Sequence, residues 1–278
     1  MKSSLMQCTV KESVTMSGIG LHTGAACRIT LHPAGCDTGR VFMTGDGRIP
    51  AHVNYLSDTR RGTSLKCGSA EVHTVEHLLA ALAGLQIDNV LIELYGPELP
   101  AGDGSALSYV ELAESAGREE LSSPVQIIEL SRPVWVSHGD KYLLAVPSEG
   151  FSISGLVAFP HPMIGEQAAA CNSIDIDTFK QEIAPARTFC TSDEIEALLA
   201  AGLGRGGNDD NVIVVYNDHY NVPLRFHNEF VRHKVLDLIG DLSLAGRRIS
   251  CSVTAIKSSH TLNTALAKGI VMQLEKTD

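Results

Sequence analysis

The chain has 278 residues, 44% of them hydrophobic and 19% charged, which is enough apolar material for one large or two medium domains. Its net charge of −10 argues against a nucleic-acid-binding protein, which needs a basic face. The seven cysteines include no Cys-x-x-Cys pair, and no apolar run reaches the roughly 18 residues of a membrane span. The N-terminus also lacks the apolar region of a signal peptide. We therefore expect a cytoplasmic protein.

The first half of the sequence predicts strands that lead into helices. Alternating apolar and polar residues predict a strand over 27–32, and an apolar run predicts a buried strand over 89–94. A helix is expected over 73–82, and a second helix begins near Ser105. The polar segment 117–124 is the best candidate for a linker.

The second half predicts the same order of elements. The sequence pattern indicates strands over 125–130, 141–146, 151–159, 211–216 and 249–256, and helices over 192–201, over 230–244 and from His260 onwards. Each half ends in a helix, a glycine, a strand, a loop and a second helix. This repeat predicts an α+β protein with two similar domains, residues 1–120 and 125–278. A single intertwined domain is the alternative.

The helix expected over 230–244 carries the first candidate metal ligands. His233 and Asp237 are four residues apart, so they share one helical face. An imidazole and a carboxylate are both zinc ligands, and a catalytic zinc ion takes a third protein ligand while it leaves one position for water. His77 lies on the matching helix of the first half and is the simplest choice for the third ligand. The sequence thus predicts a zinc site at His77, His233 and Asp237.

Residues 73–77 read His-Thr-Val-Glu-His, which matches the inverted zinc-peptidase motif. On one helix His73 and His77 would share a face, and Glu76 could act as a general base. A zinc peptidase that uses both histidines and a later glutamate is therefore a second hypothesis. A third is a zinc-stabilised module that binds a sugar nucleotide or an acyl chain. A purely structural site needs no neighbouring base, which favours an enzyme.

His260, at the expected start of the last helix, is the candidate general acid. The helix dipole disfavours its charged form, whereas a nearby carboxylate favours that form, and Asp241 is the best candidate for this carboxylate. These opposing effects would place the pKa of His260 near neutrality, as a general acid needs. The alternative is an ordinary N-cap or surface histidine.

Motifs along nearly the whole chain resemble the UDP-3-O-acyl-N-acetylglucosamine deacetylase family, the zinc amidases of bacterial lipid A synthesis. The most specific match covers residues 230–242, which read Phe-Val-Arg-His-Lys-Val-Leu-Asp-Leu-Ile-Gly-Asp-Leu. Weaker matches follow the family order at residues 20–24, 74–77, 103–105, 186–189, 224–226 and 260–263.

The resemblance implies two similar domains, each with a β-sheet and helices, packed as a β-α-α-β sandwich with the helices between the sheets. It implies that the three predicted ligands hold zinc and that Glu76 is the general base. It also implies that His260 is the general acid, that Asp241 orients it, and that the Thr188 hydroxyl helps to hold the oxyanion.

The resemblance also implies how the substrate binds. The implied partner is an acylated UDP-sugar, with Phe189 as a wall of the site and Lys234 at the polar head. An inserted βαβ element, at about residues 190–216, would hold the acyl chain. The apolar candidates in this element are Ile195, Leu198 and Leu199. Membrane contact is expected to be at most peripheral, through the acyl chain, and the protein is expected to be a monomer.

Overall fold

The structure is a computed structural model that describes residues 5–274, and it has the α+β architecture that the sequence predicts. Its strands, in chain order, are β1 (Met6–Val10), β2 (Val14–Ile19), β3 (Ala26–His32), β4 (Arg40–Thr44), β5 (Gly47–Pro50), β6 (Leu56–Asp58), β7 (Ser64–Cys67), β8 (Ala70–Val72), β9 (Val90–Tyr95), β10 (Arg118–Pro124), β11 (Ile127–Glu129), β12 (Val134–His138), β13 (Lys141–Pro147), β14 (Phe151–Ala158), β15 (Glu166–Cys171), β16 (Phe189–Thr191), β17 (Ile213–Val215) and β18 (Arg248–Ile256).

The helices are α1 (Glu76–Gly84), α2 (Leu107–Ser115), the single turn α3 (Ile176–Thr178), α4 (Ile195–Ala200), α5 (Glu229–Leu242) and α6 (His260–Leu274). Of these, α2, α1, α5 and α6 pack side by side in that order and form the helical layer between the sheets. Short 3-10 turns at Val53–Tyr55, Ser192–Glu194 and Ser243–Ala245 and a π turn at Phe179–Ile183 complete the set. Within residues 5–274, none of these helices combines the length and the apolar character needed to cross a lipid bilayer.

The first half of the chain builds a five-stranded sheet with the order β2-β3-β9-β4-β5 and a three-stranded sheet with the order β6-β7-β8. Strand β3 pairs antiparallel with β2 and β9, and β4 runs parallel to β9. Along β3, Ile29 and Leu31 are fully buried while Arg28 is exposed. This is the alternation that predicted the strand, and it turns one face of the sheet towards the core.

The second half builds a six-stranded sheet with the path β12-β13-β18-β14-β15, and β11 pairs with β18 as the sixth strand. The central strand β18 is antiparallel to β13 and parallel to β14. The strands predicted over 141–146, 151–159 and 249–256 are confirmed as β13, β14 and β18 to within about a residue at each end.

Helices α1 and α5 pack against each other in the middle of the helical layer. Leu78 and Leu82 of α1 and Leu238 of α5 are fully buried there. The approach is so close that a Cβ added at Gly240 would lie 2.0 Å from the main-chain oxygen of Glu76. Glycine at position 240 therefore allows the two helices to meet, and this contact brings Glu76 and His77 next to α5.

Residues 118–124 form a strand, whereas the polar composition of 117–124 predicts an irregular linker. Strand β10 pairs antiparallel with β1, and β1 buries Cys8 and Val10. No side chain of β10 is buried, so its sequence carries no apolar signal even though its backbone is paired. The division of the chain into residues 1–120 and 125–278 stays a prediction.

Helix α1 begins at Glu76, three residues later than predicted. Thr74 has a φ of 59°, in the left-handed region, so the helix cannot extend back through it. His73 therefore lies outside the helix, in a β-bridge with Glu98, and its Nδ1 is 2.9 Å from the Ser64 hydroxyl oxygen. His73 and His77 do not share a helical face, so the geometry that the peptidase hypothesis needs is absent.

Candidate metal centre and active-site cavity

A cavity of about 960 Å³ opens beside the contact between α1 and α5. Apolar and polar side chains both line it, and imidazole and carboxylate groups gather at the polar end where it meets α1 and α5. The predicted site residues that line it are Glu76, His77, Thr188, Phe189, Ile195, Leu198, Leu199, His233, Lys234, Asp237 and His260. Asp241 is fully buried behind His260 and does not reach the cavity.

His77, His233 and Asp237 meet at the polar end of this cavity. They come from α1 and α5, and one potential ligand atom from each lies within 4.8 Å of the others. Asp237 Oδ1 is 3.4 Å from His77 Nε2 and 3.5 Å from His233 Nε2. The two imidazole rings meet edge to face, with 5.0 Å between their centroids. Two nitrogen donors and one oxygen donor therefore converge on one point.

The state of these donors fits a bound cation. Asp237 Oδ1 is buried and has no hydrogen-bond partner among residues 5–274, which is costly unless something else satisfies it. His233 Nδ1 lies 3.1 Å from the Ala186 carbonyl oxygen, so this nitrogen donates and Nε2 keeps a lone pair. Burial lowers the pKa of His233 to about 3, so the ring is neutral and able to bind a metal ion.

Asp237 also pairs with a lysine of its own helix. Lys234 Nζ donates to Asp237 Oδ2 at 2.8 Å, three residues away on α5. Burial alone would raise the pKa of Asp237, but the neighbouring His233, Lys234 and His260 hold it well below its usual range. The carboxylate is therefore charged at neutral pH, as a metal ligand must be.

Glu76 lies beside the metal-binding group without belonging to it. Its side chain is almost completely buried, and Oε2 accepts a hydrogen bond from the Thr63 N–H at 2.8 Å. Burial raises the pKa of Glu76, against the opposing effects of His260 and His77. A carboxylate with a raised pKa is a stronger base, which suits a residue that accepts a proton.

His260 faces Glu76 across the site and is held from behind by Asp241. Its Nδ1 is 2.9 Å from Asp241 Oδ2, and its Nε2 is 4.0 Å from Glu76 Oε1. Burial opposes the charged ring, but Asp241, Asp237 and Glu76 raise the pKa of His260 to about 9. This is higher than the near-neutral value expected from sequence, because three carboxylates surround the ring instead of one. The imidazolium form, which can donate a proton, prevails at pH 7.

Thr188 and Phe189 come from the segment that enters β16. The Thr188 N–H donates to the Gly104 carbonyl oxygen at 2.8 Å, which fixes the backbone where the side chain meets the cavity. The Phe189 ring packs on Phe230 with 4.7 Å between centroids, and Lys234 Nζ lies 5.6 Å from its centre. Phe189 therefore forms an apolar wall of the cavity next to a positive charge.

A buried ion pair that the sequence did not reveal holds this segment in place. Glu229 is fully buried, and its Oε1 accepts from the Arg187 N–H at 3.1 Å and from Arg187 Nε at 2.8 Å. In the chain, Arg187 lies between Ala186 and Thr188. The carbonyl oxygen of Ala186 accepts the hydrogen bond from His233 Nδ1. Both charged residues lie in or beside the recognised motifs, but one sequence alone does not show that they pair.

The segment after Phe189 forms a small βαβ unit. Strands β16 and β17 are parallel, and α4 lies between them in the chain. Helix α4 buries none of its residues, so its apolar side chains are not ordinary core. Those that line the cavity are Ile195, Leu198 and Leu199. An apolar helix face in the same cavity as the metal-binding group is thus available to a ligand.

Comparison with known proteins identifies the family. Residues 7–272 match the profile described as UDP-3-O-acyl N-acetylglycosamine deacetylase (LpxC). A UDP-3-O-acyl-N-acetylglucosamine deacetylase of Anaeromyxobacter sp. (strain Fw109-5) is 42% identical over 95% of this chain and 88% of its own length. Enzymes of the same name from Leptospira biflexa serovar Patoc (strain Patoc 1 / Ames) and Coxiella burnetii (strain Dugway 5J108-111) are 39% and 40% identical, over 99% and 96% of this chain and 92% and 90% of theirs. The chain belongs to the UDP-3-O-acyl N-acetylglycosamine deacetylase family.

Proposed function

We propose that this protein is a zinc-dependent deacetylase that removes the N-acetyl group from UDP-3-O-acyl-N-acetylglucosamine and releases acetate, as a step of lipid A biosynthesis. Family membership supports the reaction class. The observation that carries the proposal is the buried group of His77, His233 and Asp237, which lies beside Glu76 at the end of an apolar cavity.

The donor set supports zinc as the metal. Two imidazole nitrogens and one carboxylate oxygen are a common catalytic zinc set, and three protein ligands leave space for water and substrate. The unpartnered Oδ1 of Asp237 is the atom that a cation would satisfy. When bound there, Zn²⁺ would supply Lewis acidity that lowers the pKa of a water molecule and polarises a carbonyl group.

In this proposal the chain's own residues handle the protons. Glu76 accepts a proton from the attacking water while the Thr63 N–H keeps its carboxylate in place. The Thr188 hydroxyl donates to the oxygen of the acetamide carbonyl as negative charge develops there. His260 then donates a proton from Nε2 to the leaving amine, and Asp241 holds the opposite nitrogen at 2.9 Å. The carbon–nitrogen bond breaks, and acetate and the free amine leave.

The rest of the cavity supports an acylated sugar nucleotide as the substrate. Lys234 places a positive charge near the polar end, and Phe189 covers one side of it. The apolar residues of α4 that line the cavity are suited to a hydrocarbon chain. We further propose that the reaction takes place in the cytoplasm and that the enzyme acts as a monomer without nucleic acid.

Acetate release tests this proposal directly. Purified protein incubated with the acylated UDP-N-acetylglucosamine should release acetate. Treatment with a zinc chelator should stop the release of acetate, and added Zn²⁺ should restore it. The unacylated UDP-N-acetylglucosamine is the matched control and should be a poor substrate, because it leaves the apolar lining empty. A zinc-loaded enzyme that cleaves neither compound would contradict the proposal.

A further inference from the structure

Thr63 is a fully buried residue just before β7, and it contacts both helices that build the site. Its N–H donates to Glu76 Oε2 at 2.8 Å, and its carbonyl oxygen accepts from the Val75 N–H at 3.0 Å. Its hydroxyl donates to Asp241 Oδ1 at 2.5 Å. One residue thus bonds the carboxylate of Glu76 on α1 and the carboxylate of Asp241 on α5.

The hydroxyl bond fixes the orientation of Asp241. The other oxygen of this carboxylate, Oδ2, lies 2.9 Å from both His260 Nδ1 and Asn263 Nδ2. Among residues 5–274, Thr63 provides the one hydrogen bond found at Oδ1. Because the two oxygens belong to one rigid plane, a donor at Oδ1 determines where Oδ2 points. The direction of Oδ2 in turn determines where the ring of His260 points.

We propose that Thr63 is a positioning residue for the hydrolysis, which aligns the base Glu76 through its backbone N–H and the acid His260 through the bond from its hydroxyl to Asp241. This inference rests on the proposed function. Thr63 does not line the cavity and so acts only through these two residues. In this way a single buried residue fixes the positions of the proton acceptor and the proton donor relative to each other.

Two substitutions separate the effect of the Thr63 hydroxyl from the effect of the side-chain shape. Thr63→Val keeps the shape and the backbone N–H but removes the donor, whereas Thr63→Ser keeps the donor and removes a methyl group. We expect Thr63→Val to lower kcat about 10- to 100-fold with KM and bound zinc unchanged, because the acid is misplaced while substrate and metal sites remain. Thr63→Ser should restore kcat to within a few-fold of the wild type. Equal kcat in the wild type and Thr63→Val would overturn the proposal.

A double-mutant cycle separates positioning from a general structural effect. His260→Ala alone should lower kcat by about 10²–10⁴. If Thr63 acts through His260, adding Thr63→Val to that variant should have almost no further effect, because the group being positioned is gone. A full additional loss in the His260→Ala background would overturn the positioning role. Absence of acetate release from the wild type would count against the proposed function itself.

A measurement on the wild-type holoenzyme covers the case in which Thr63→Val does not fold. A buried hydroxyl that donates to a carboxylate exchanges its proton slowly with water, so NMR should detect a hydroxyl proton assigned to Thr63. A Thr63 hydroxyl proton that exchanges too fast to be seen would contradict the bond and, with it, the inference.

Discussion

Glu98 is a buried carboxylate outside the metal-binding group, and four donors hold it. It accepts from the His22 N–H at 3.0 Å, from the Thr23 N–H and hydroxyl at 2.8 Å each, and from the Thr74 hydroxyl at 2.9 Å. Thr74 is the left-handed residue two positions before Glu76. Glu98 therefore ties the loop at residues 20–24 to the start of α1.

The charge of Glu98 should contribute to stability in a pH-dependent way. Burial alone would raise the pKa of Glu98, but the hydrogen bonds from His22, Thr23 and Thr74 outweigh it and lower the pKa. A folded-state pKa below the unfolded value means that the stabilisation is complete above about pH 4.3 and is lost as the pH falls through the folded pKa.

Glu98→Gln tests this contribution. At pH 7 the free energy of unfolding of the variant should be about 1–3 kcal/mol lower than that of the wild type, because an amide NH₂ then faces donors that need an acceptor. Urea unfolding of both proteins from pH 7 down to the lowest pH at which both stay folded is the measurement. The difference between them should shrink in acid. A difference that stays constant over this range would show that the charge of Glu98 does not stabilise the fold.

At the scale of residues, short-range spacing is what a sequence can reveal. His233 and Asp237 are predicted neighbours because a helix brings residues four apart onto one face, and the structure places them so. Thr63 and Glu98 lie in loops without periodicity, and their partners Asp241 and His22 are far away in the chain. Their burial depends on the folded structure and cannot be seen in the residue type.

Helix α5 depends on Gly240 for its position against α1. A methyl group at this residue would overlap the Glu76 carbonyl oxygen, which is backbone and cannot turn aside. Because α1 carries His77 and α5 carries His233 and Asp237, any separation of the helices also separates the ligands. The close packing of α1 and α5 is thus a requirement of the site as well as of the core.

Gly240→Ala should therefore affect both stability and metal binding. We expect a loss of about 1–3 kcal/mol in the free energy of unfolding from overpacking, and at least about 10-fold weaker zinc binding. Chemical unfolding and competition with a chromogenic chelator measure the two effects. Gly35→Ala is the control, since nothing lies within 4 Å of its added Cβ. Unchanged zinc affinity in Gly240→Ala would contradict the link between helix packing and the site.

At the scale of elements, the sequence predicts the strands and helices whose apolar pattern is strong. This apolar pattern allows the prediction of β13, β14, β18 and α5. It does not allow the prediction of β10, because the exposed side chains of β10 are polar and only its backbone pairs with β1. The sequence pattern predicts a start of α1 that is too early. The helix is prevented from starting there by the left-handed φ of Thr74, which depends on tertiary contacts such as the hydrogen bond from Thr74 to Glu98.

The whole molecule brings together helices that lie far apart in the chain. A single hydrophobic core contains Leu78 of α1 and Leu238 of α5 together with residues from the large sheets of both halves. The division into domains 1–120 and 125–278 stays a prediction. The two halves contribute side chains to this one core and meet at the metal-binding group. We expect removal of the proposed zinc ion to weaken the association of α1 with α5.

The central claim is that His77, His233 and Asp237 hold one zinc ion between these helices. Anomalous diffraction from crystals of the purified enzyme, recorded above and below the zinc absorption edge, tests it most directly. We predict a single strong peak about 2.0–2.2 Å from His77 Nε2, His233 Nε2 and an oxygen of Asp237. A zinc peak elsewhere, or a peak at His233 and Asp237 with His77 turned away, would contradict the account.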